Sequence, residues 1–207
     1  MENDEDRRRR WDERHRATAT IDAPSPFVVR ALERLHSLTP VGPRRALDVA
    51  CGRGRHALLL AEHGYRVDAV DYAPMALRTL QKTARARGLP ITCVAADVTA
   101  WPLPPERYAL VLVVNFLDRR IFPALRAAVA PGGAFLYETH SRDETHPSRS
   151  SVRAEFQLVA GELEDLCRDW SVLLRHDGVA EPRDRGAARA GILARRPAED
   201  RDGARAH

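Results

Sequence analysis

The stretch Ala46–Ala73, ALDVACGRGRHALLLAEHGYRVDAVDYA, constrains the fold of this chain more than any other. Ala46 to Ala50 is a short apolar run interrupted by Asp48, and it reads as a buried strand. Cys51-Gly52-Arg53-Gly54-Arg55 follows as a tight turn. A helix is expected from about His56 to Glu62, ended by His63-Gly64, since glycine suits the left-handed position past a helix terminus. Arg66 to Val70 reads as a second strand that delivers Asp71 at its end. Strand, helix and strand in this order predict a βαβ unit, one half of a nucleotide-binding sheet.

Each residue type has a physical reason. Gly52 and Gly54 lack a Cβ, so the backbone can turn tightly and approach a ligand. The helix start leaves unpaired N–H groups that attract an electron-rich group. An acid at the position of Asp71 can accept hydrogen bonds from both hydroxyls of a ribose. An adenosine-like ligand is therefore expected over this edge. Gly52 to Ala57 also fits the G-x-G-x-x-A pattern of dinucleotide sites. Two residues argue against a dinucleotide. Asp48, inside the first strand, would repel a pyrophosphate but suits a ligand bearing an ammonium and a sulfonium. Arg55 would crowd a pyrophosphate at the helix start.

With these residues in place, LDVACGRGR resembles the first motif of the class I S-adenosylmethionine-dependent methyltransferases. The Gly-Arg variant is most similar to the tellurite-resistance-type small-molecule branch. The resemblance continues through AADVTAWPLPPERYALVLVVNFLDRRIFPALRAAVAPGGAFLYETH and covers roughly Ala46 to Pro197. It implies an α/β, Rossmann-like, doubly wound sheet of seven mostly parallel strands, with helices on both faces and an antiparallel last strand. It implies S-adenosyl-L-methionine as cofactor, with S-adenosyl-L-homocysteine as product. By that resemblance Asp48, Ala50, Gly52, Gly54 and Arg55 surround the methionine end, and Asp71 takes the ribose. Tyr72 and Ala73 flank the adenosine, Asp97 and Val98 meet the adenine, and Asn115 and Phe116 face the sulfonium and the acceptor. Ala50 departs from the family, which usually carries glycine there.

Length and composition exclude several classes. A chain of 207 residues suits one domain. The expected division is an N-terminal tail with lid or cap helices at 1–40, a methyltransferase domain at 41–197 and a charged, disordered tail at 198–207. No apolar run approaches a membrane span, and no secretory or twin-arginine signal is recognised. The net charge is +4, but Lys82 is the only lysine, so the basicity is an arginine skew rather than a nucleic-acid footprint. Asn115-Phe116-Leu117-Asp118 also lacks the tetrapeptide of base-amino methylases. Cys51, Cys93 and Cys167 lack zinc-ligand spacing, so no metal is expected and a reducing, cytoplasmic setting is.

Three further readings complete the picture. WDERHR resembles a lid segment, with Trp11, Arg14 and His15 as substrate or lid residues. His140 and His146 lie in a polar loop after the fifth strand and are the candidate bases. The predicted activity is methyl transfer to a small-molecule acceptor by a monomer or homodimer, without nucleic-acid or membrane partners. An NAD(P)-binding oxidoreductase and a non-catalytic S-adenosylmethionine-binding regulator are the alternatives.

Overall fold

The structure is a computed structural model that describes residues 9, 13, 20–38, 44–142, 152–178 and 188–198. Within these, the elements run α1 (Pro26–His36), β1 (Arg45–Val49), α2 (Arg55–Glu62), β2 (Arg66–Asp71), α3 (Pro74–Ala86), β3 (Ile91–Ala95) and β4 (Tyr108–Val114). A 3₁₀ turn at Arg119–Ile121 leads into α4 (Phe122–Ala128), which is followed by β5 (Val129–His140). A second 3₁₀ turn (Ala154–Phe156), α5 (Glu162–Leu166), β6 (Ser171–Gly178) and β7 (Arg189–Arg195) complete the chain.

The seven strands form one sheet in the order β3-β2-β1-β4-β5-β7-β6. β1 through β5 pair in parallel, and β7 runs antiparallel to both β5 and β6. Strand order reverses between β1 and β4, the switch point above which ligands bind in open α/β sheets. Residues of β1 and β4 are almost wholly apolar and buried, because helices cover both faces.

Those faces hold two cores. Phe27, Val28 and Leu32 of α1 pack with Leu58 and Leu60 of α2 and Leu77 and Leu80 of α3 on one face. Phe122 and Leu125 of α4 and Leu163 of α5 pack against Val111, Val113, Phe135 and Tyr137 on the other. Alternation along the strands assigns each side chain its face. Asp48 shares the α1 face with Ala46, and Asp68 projects from β2 on the α4 face, opposite Val67 and Ala69. One close contact locks α1 down: a Cβ on Gly191 of β7 would lie 2.7 Å from the Phe27 ring.

The structure moves several expected boundaries. β1 ends at Val49, and Ala50 is a turn residue at φ 51°. Ile121–Val129 reads from its sequence as one helix, yet Ile121 closes the 3₁₀ turn and α4 ends at Ala128. Pro131-Gly132-Gly133 reads as a break before the fifth strand, yet it is absorbed into a long β5, in which Val129 pairs with Tyr108 before an irregularity restores register at Leu110. Gly133 tolerates no side chain there, since a Cβ would sit 2.8 Å from the Ala130 carbonyl. Between β5 and α5, the described residues from Val152 on form a 3₁₀ turn and a single bridge from Leu158 to Ser141.

Candidate cofactor site at the carboxyl edge of the sheet

Gly54 is the N-cap of α2, in the left-handed region at φ 78°. A Cβ there would fall 2.3 Å from Leu80 of α3, so only glycine brings the turn against that helix. Gly52, at φ 56°, lets the turn fold over the end of β2. The Gly52 N–H donates to Asp71 Oδ2 at 2.6 Å, and the Ala73 N–H donates to Asp71 Oδ1 at 2.8 Å. Two backbone donors, one to each oxygen, fix the plane of this carboxylate at the end of β2.

Asp48 stands one strand away and is 1% exposed. Its Oδ2 is buried and has no hydrogen-bond partner. Burial pushes its carboxyl up to about 8, and the charge of Asp71 adds to the shift. The Ala57 backbone N–H and the charge of Arg55 oppose it. A buried acid without a full set of donors is costly unless a cation meets it. Asp48 and Asp71 thus make an acidic floor beneath a backbone turn, a poor seat for phosphate and a good one for an ammonium group, whose charge draws the Asp48 carboxyl toward its ionised form.

The remaining sequence candidates divide. Ala50 takes the positive φ that the family's glycine would take. Ala73 is fully buried and contributes its N–H rather than its side chain. Asp97 Oδ1 accepts from both the N–H and the hydroxyl of Thr99, so part of its acceptor capacity closes a turn. Val98 is buried, and Tyr72 is half-buried beside Asp71. Phe116 packs partly against the α4-face core, and its carbonyl accepts from the Tyr137 hydroxyl. Asn115 is exposed at the end of β4 with φ 60°. The Arg55 guanidinium donates to the Ala23 carbonyl at 3.3 Å, and its charge acts on Asp48. His140 is the half-buried last residue of β5. Trp11, Arg14, His15 and His146 lie outside the described residues.

Some groups were not legible in the sequence. Ser25 N–H donates to His56 Nε2 at 3.0 Å, and Arg53 donates to the Thr20 carbonyl at 3.0 Å, so residues 20–25 are pinned to the glycine turn. Glu138 and Arg189 form a buried ion pair at 3.2 Å between β5 and β7. The only available signal was a charge within an apolar strand, which is rarely buried unpaired. The thiol of Cys51 is raised well above its usual range by burial and by Asp48 and Asp71, which keeps it protonated and unfit as a nucleophile. No group of metal-ligating side chains occurs among the described residues.

Comparison with known proteins agrees with this geometry. Residues 46–133 match a family model described as a methyltransferase domain. A demethylmenaquinone methyltransferase of Thermus thermophilus is 37% identical over 98 residues, covering 44% of each chain. A probable S-adenosyl-L-methionine-dependent methyltransferase, TehB of Haemophilus influenzae, is 25% identical over 148 residues, 68% of this chain and 51% of the relative. The crystal structure of TehB from Haemophilus influenzae superposes with a TM-score of 0.70 at 22% identity, over 87% of this chain and 64% of that one. The PH0226 protein of Pyrococcus horikoshii shares the fold at a TM-score of 0.65 over 89% of this chain and 98% of its own. The chain spans about half the length of most curated relatives it matches, 48% and 44% for two of them. The matched domain, the relatives and the sheet together support a class I S-adenosylmethionine-dependent methyltransferase of the TehB type.

Proposed function

We propose that the chain transfers a methyl group from S-adenosyl-L-methionine to a small-molecule acceptor, releasing S-adenosyl-L-homocysteine. The observation that carries this reading is Asp48, a buried acid with an open oxygen beside a glycine turn. A sulfonium or ammonium ligand supplies the missing positive charge, and a dinucleotide does not.

When bound, the cofactor supplies an activated methyl group, so the chain's own task is alignment and exclusion of water. Asp48 and the Gly52–Gly54 backbone hold the methionine end, and Asp71 holds the ribose. Tyr72, Asp97 and Val98 border the adenine. Tyr137 fixes the turn after β4 through the Phe116 carbonyl, which keeps Asn115 and Phe116 at the acceptor side. The Phe116 ring can face a cation, an attraction of about 0.5–2 kcal/mol. His140 stands at the rim of this edge, available as a base for acceptors that must lose a proton. The small-molecule class of acceptor is supported by relatives such as the ubiquinone biosynthesis O-methyltransferase of Methylobacterium, 27% identical over 170 residues.

Calorimetry tests this reading. S-adenosylhomocysteine should bind the native chain, and Asp71→Ala should lose about tenfold or more in affinity through the two ribose hydrogen bonds. Thermal stabilisation by NAD but not by S-adenosylhomocysteine would move the chain to the oxidoreductases.

A further inference from the structure

The carboxyl ends of β4 and β5 and the amino end of the antiparallel β7 carry a polar network beyond the cofactor floor. Arg189 opens β7 and is 5% exposed. Its Nε donates to Glu138 Oε1 at 3.2 Å, and its Nη2 donates to Asn115 Oδ1 at 2.6 Å. Glu138 supplies the negative charge that permits a guanidinium to be buried here.

The consequence falls on Asn115. Arginine has donors and no acceptor, so the amide end that faces it must be the oxygen. The NH₂ end is thereby turned the other way, and the residue is exposed at the end of β4. No described residue accepts from that NH₂ group. The backbone is held too: the Asn115 N–H donates to the Glu138 carbonyl at 3.0 Å, and φ is 60°, a region asparagine tolerates. Asn115 lies on the far side of β1 from Asp71, because β1 stands between β2, which ends in Asp71, and β4. It borders the side of the cleft away from the ribose acid.

We propose that Arg189, held by Glu138, is a positioning residue that sets the acceptor preference. It presents the Asn115 NH₂ group as a fixed donor, so the site selects an acceptor with a carboxylate or carbonyl oxygen beside the atom to be methylated, over one that presents an amine. This rests on the methyl-transfer reading and deepens it.

The test uses the full chain loaded with S-adenosylhomocysteine, with benzoate and benzylamine as probes. ¹⁵N-resolved NMR follows the Asn115 side-chain amide. Benzoate should shift those resonances and benzylamine should leave them in place. Asn115→Asp keeps an oxygen toward Arg189 and replaces the NH₂ with a second oxygen. It should weaken benzoate about tenfold by calorimetry and strengthen benzylamine, reversing the preference. Removing both charges together with Glu138→Leu and Arg189→Met leaves no uncompensated buried ion. That double variant should still bind S-adenosylhomocysteine but discriminate the probes poorly. The proposal is overturned if neither probe moves the amide, if benzylamine is preferred by the native chain, or if the amide shifts on adding S-adenosylhomocysteine and not on adding benzoate. Failure of S-adenosylhomocysteine to bind at all would instead remove the cofactor reading beneath it.

Discussion

Asp48 and Asp68 sit on neighbouring strands and are both buried, yet they are treated in opposite ways. Asp68 is wrapped: Arg45 donates to both its oxygens at 3.0 Å, Tyr108 hydroxyl donates at 3.1 Å, and Arg107 lies at 3.9 Å. Those partners come from the first residues of β1 and β4, at the amino edge of the sheet. Asp48, toward the carboxyl edge, keeps one oxygen open. An acid with both oxygens answered by its own chain ties strands together. An acid left incomplete in a dry place costs folding energy and has a use only when something arrives to complete it.

The largest effect expected from this contrast is in stability. Asp68→Ala strands Arg45 and the Tyr108 hydroxyl and should cost about 3–5 kcal/mol in chemical denaturation. Its affinity for S-adenosylhomocysteine should stay within about threefold, since the hydrogen bonds it loses are all at the amino edge. A large loss of binding would break the contrast.

Asp48→Asn should do the reverse. Binding of S-adenosylhomocysteine should weaken by about ten- to a hundredfold, the worth of one charge-assisted hydrogen bond. Stability should hold or rise. The sign follows from the raised carboxyl, about 8 in the folded chain against 3.8 for the free group. The folded state binds the proton more tightly than the unfolded one, so Asp48 favours folding below about pH 4, and that contribution fades as pH climbs toward about 8. The advantage of the asparagine variant in melting temperature should therefore widen from pH 5 to pH 8.

The same shift sharpens the binding experiment. At pH 7 the carboxyl at about 8 is mostly protonated, and a nearby ammonium lowers it. Calorimetry in buffers of different ionisation enthalpy should register release of close to one proton per S-adenosylhomocysteine bound, and almost none in Asp48→Asn.

The smallest effect is expected at Tyr137→Phe. It removes the hydrogen bond to the Phe116 carbonyl and should cost about 1 kcal/mol, read as a modest drop in melting temperature.

The parts of the site that could be read from the sequence are local. Gly52, Gly54 and Asp71 act through chain neighbours or through the unit they define, so their spacing reports their geometry. Ala50 reads as the end of the first strand, and only the structure shows it turning at φ 51°. Arg189 could not be placed, because its partner Asn115 is 74 residues away and only the sheet order brings them together. The extent of β5 was hidden for a related reason. Pro131-Gly132-Gly133 carries every local signal of a break, yet the strand runs through it and pairs with β4 on both sides, at Val129 and from Ala134 onward. The bond from Arg55 to the Ala23 carbonyl was hidden for the same reason, since the two residues are 32 positions apart.

The sheet order has a consequence for biosynthesis. β7 is the last described strand to be made, and it must wedge between β5 and β6. Until it arrives, two neighbouring edges stand open along their length, the kind of bare ladder that invites association with other chains. A ribosome-bound chain stopped before residue 189 should thus need shelter, and the Asn115 amide would be free to spin.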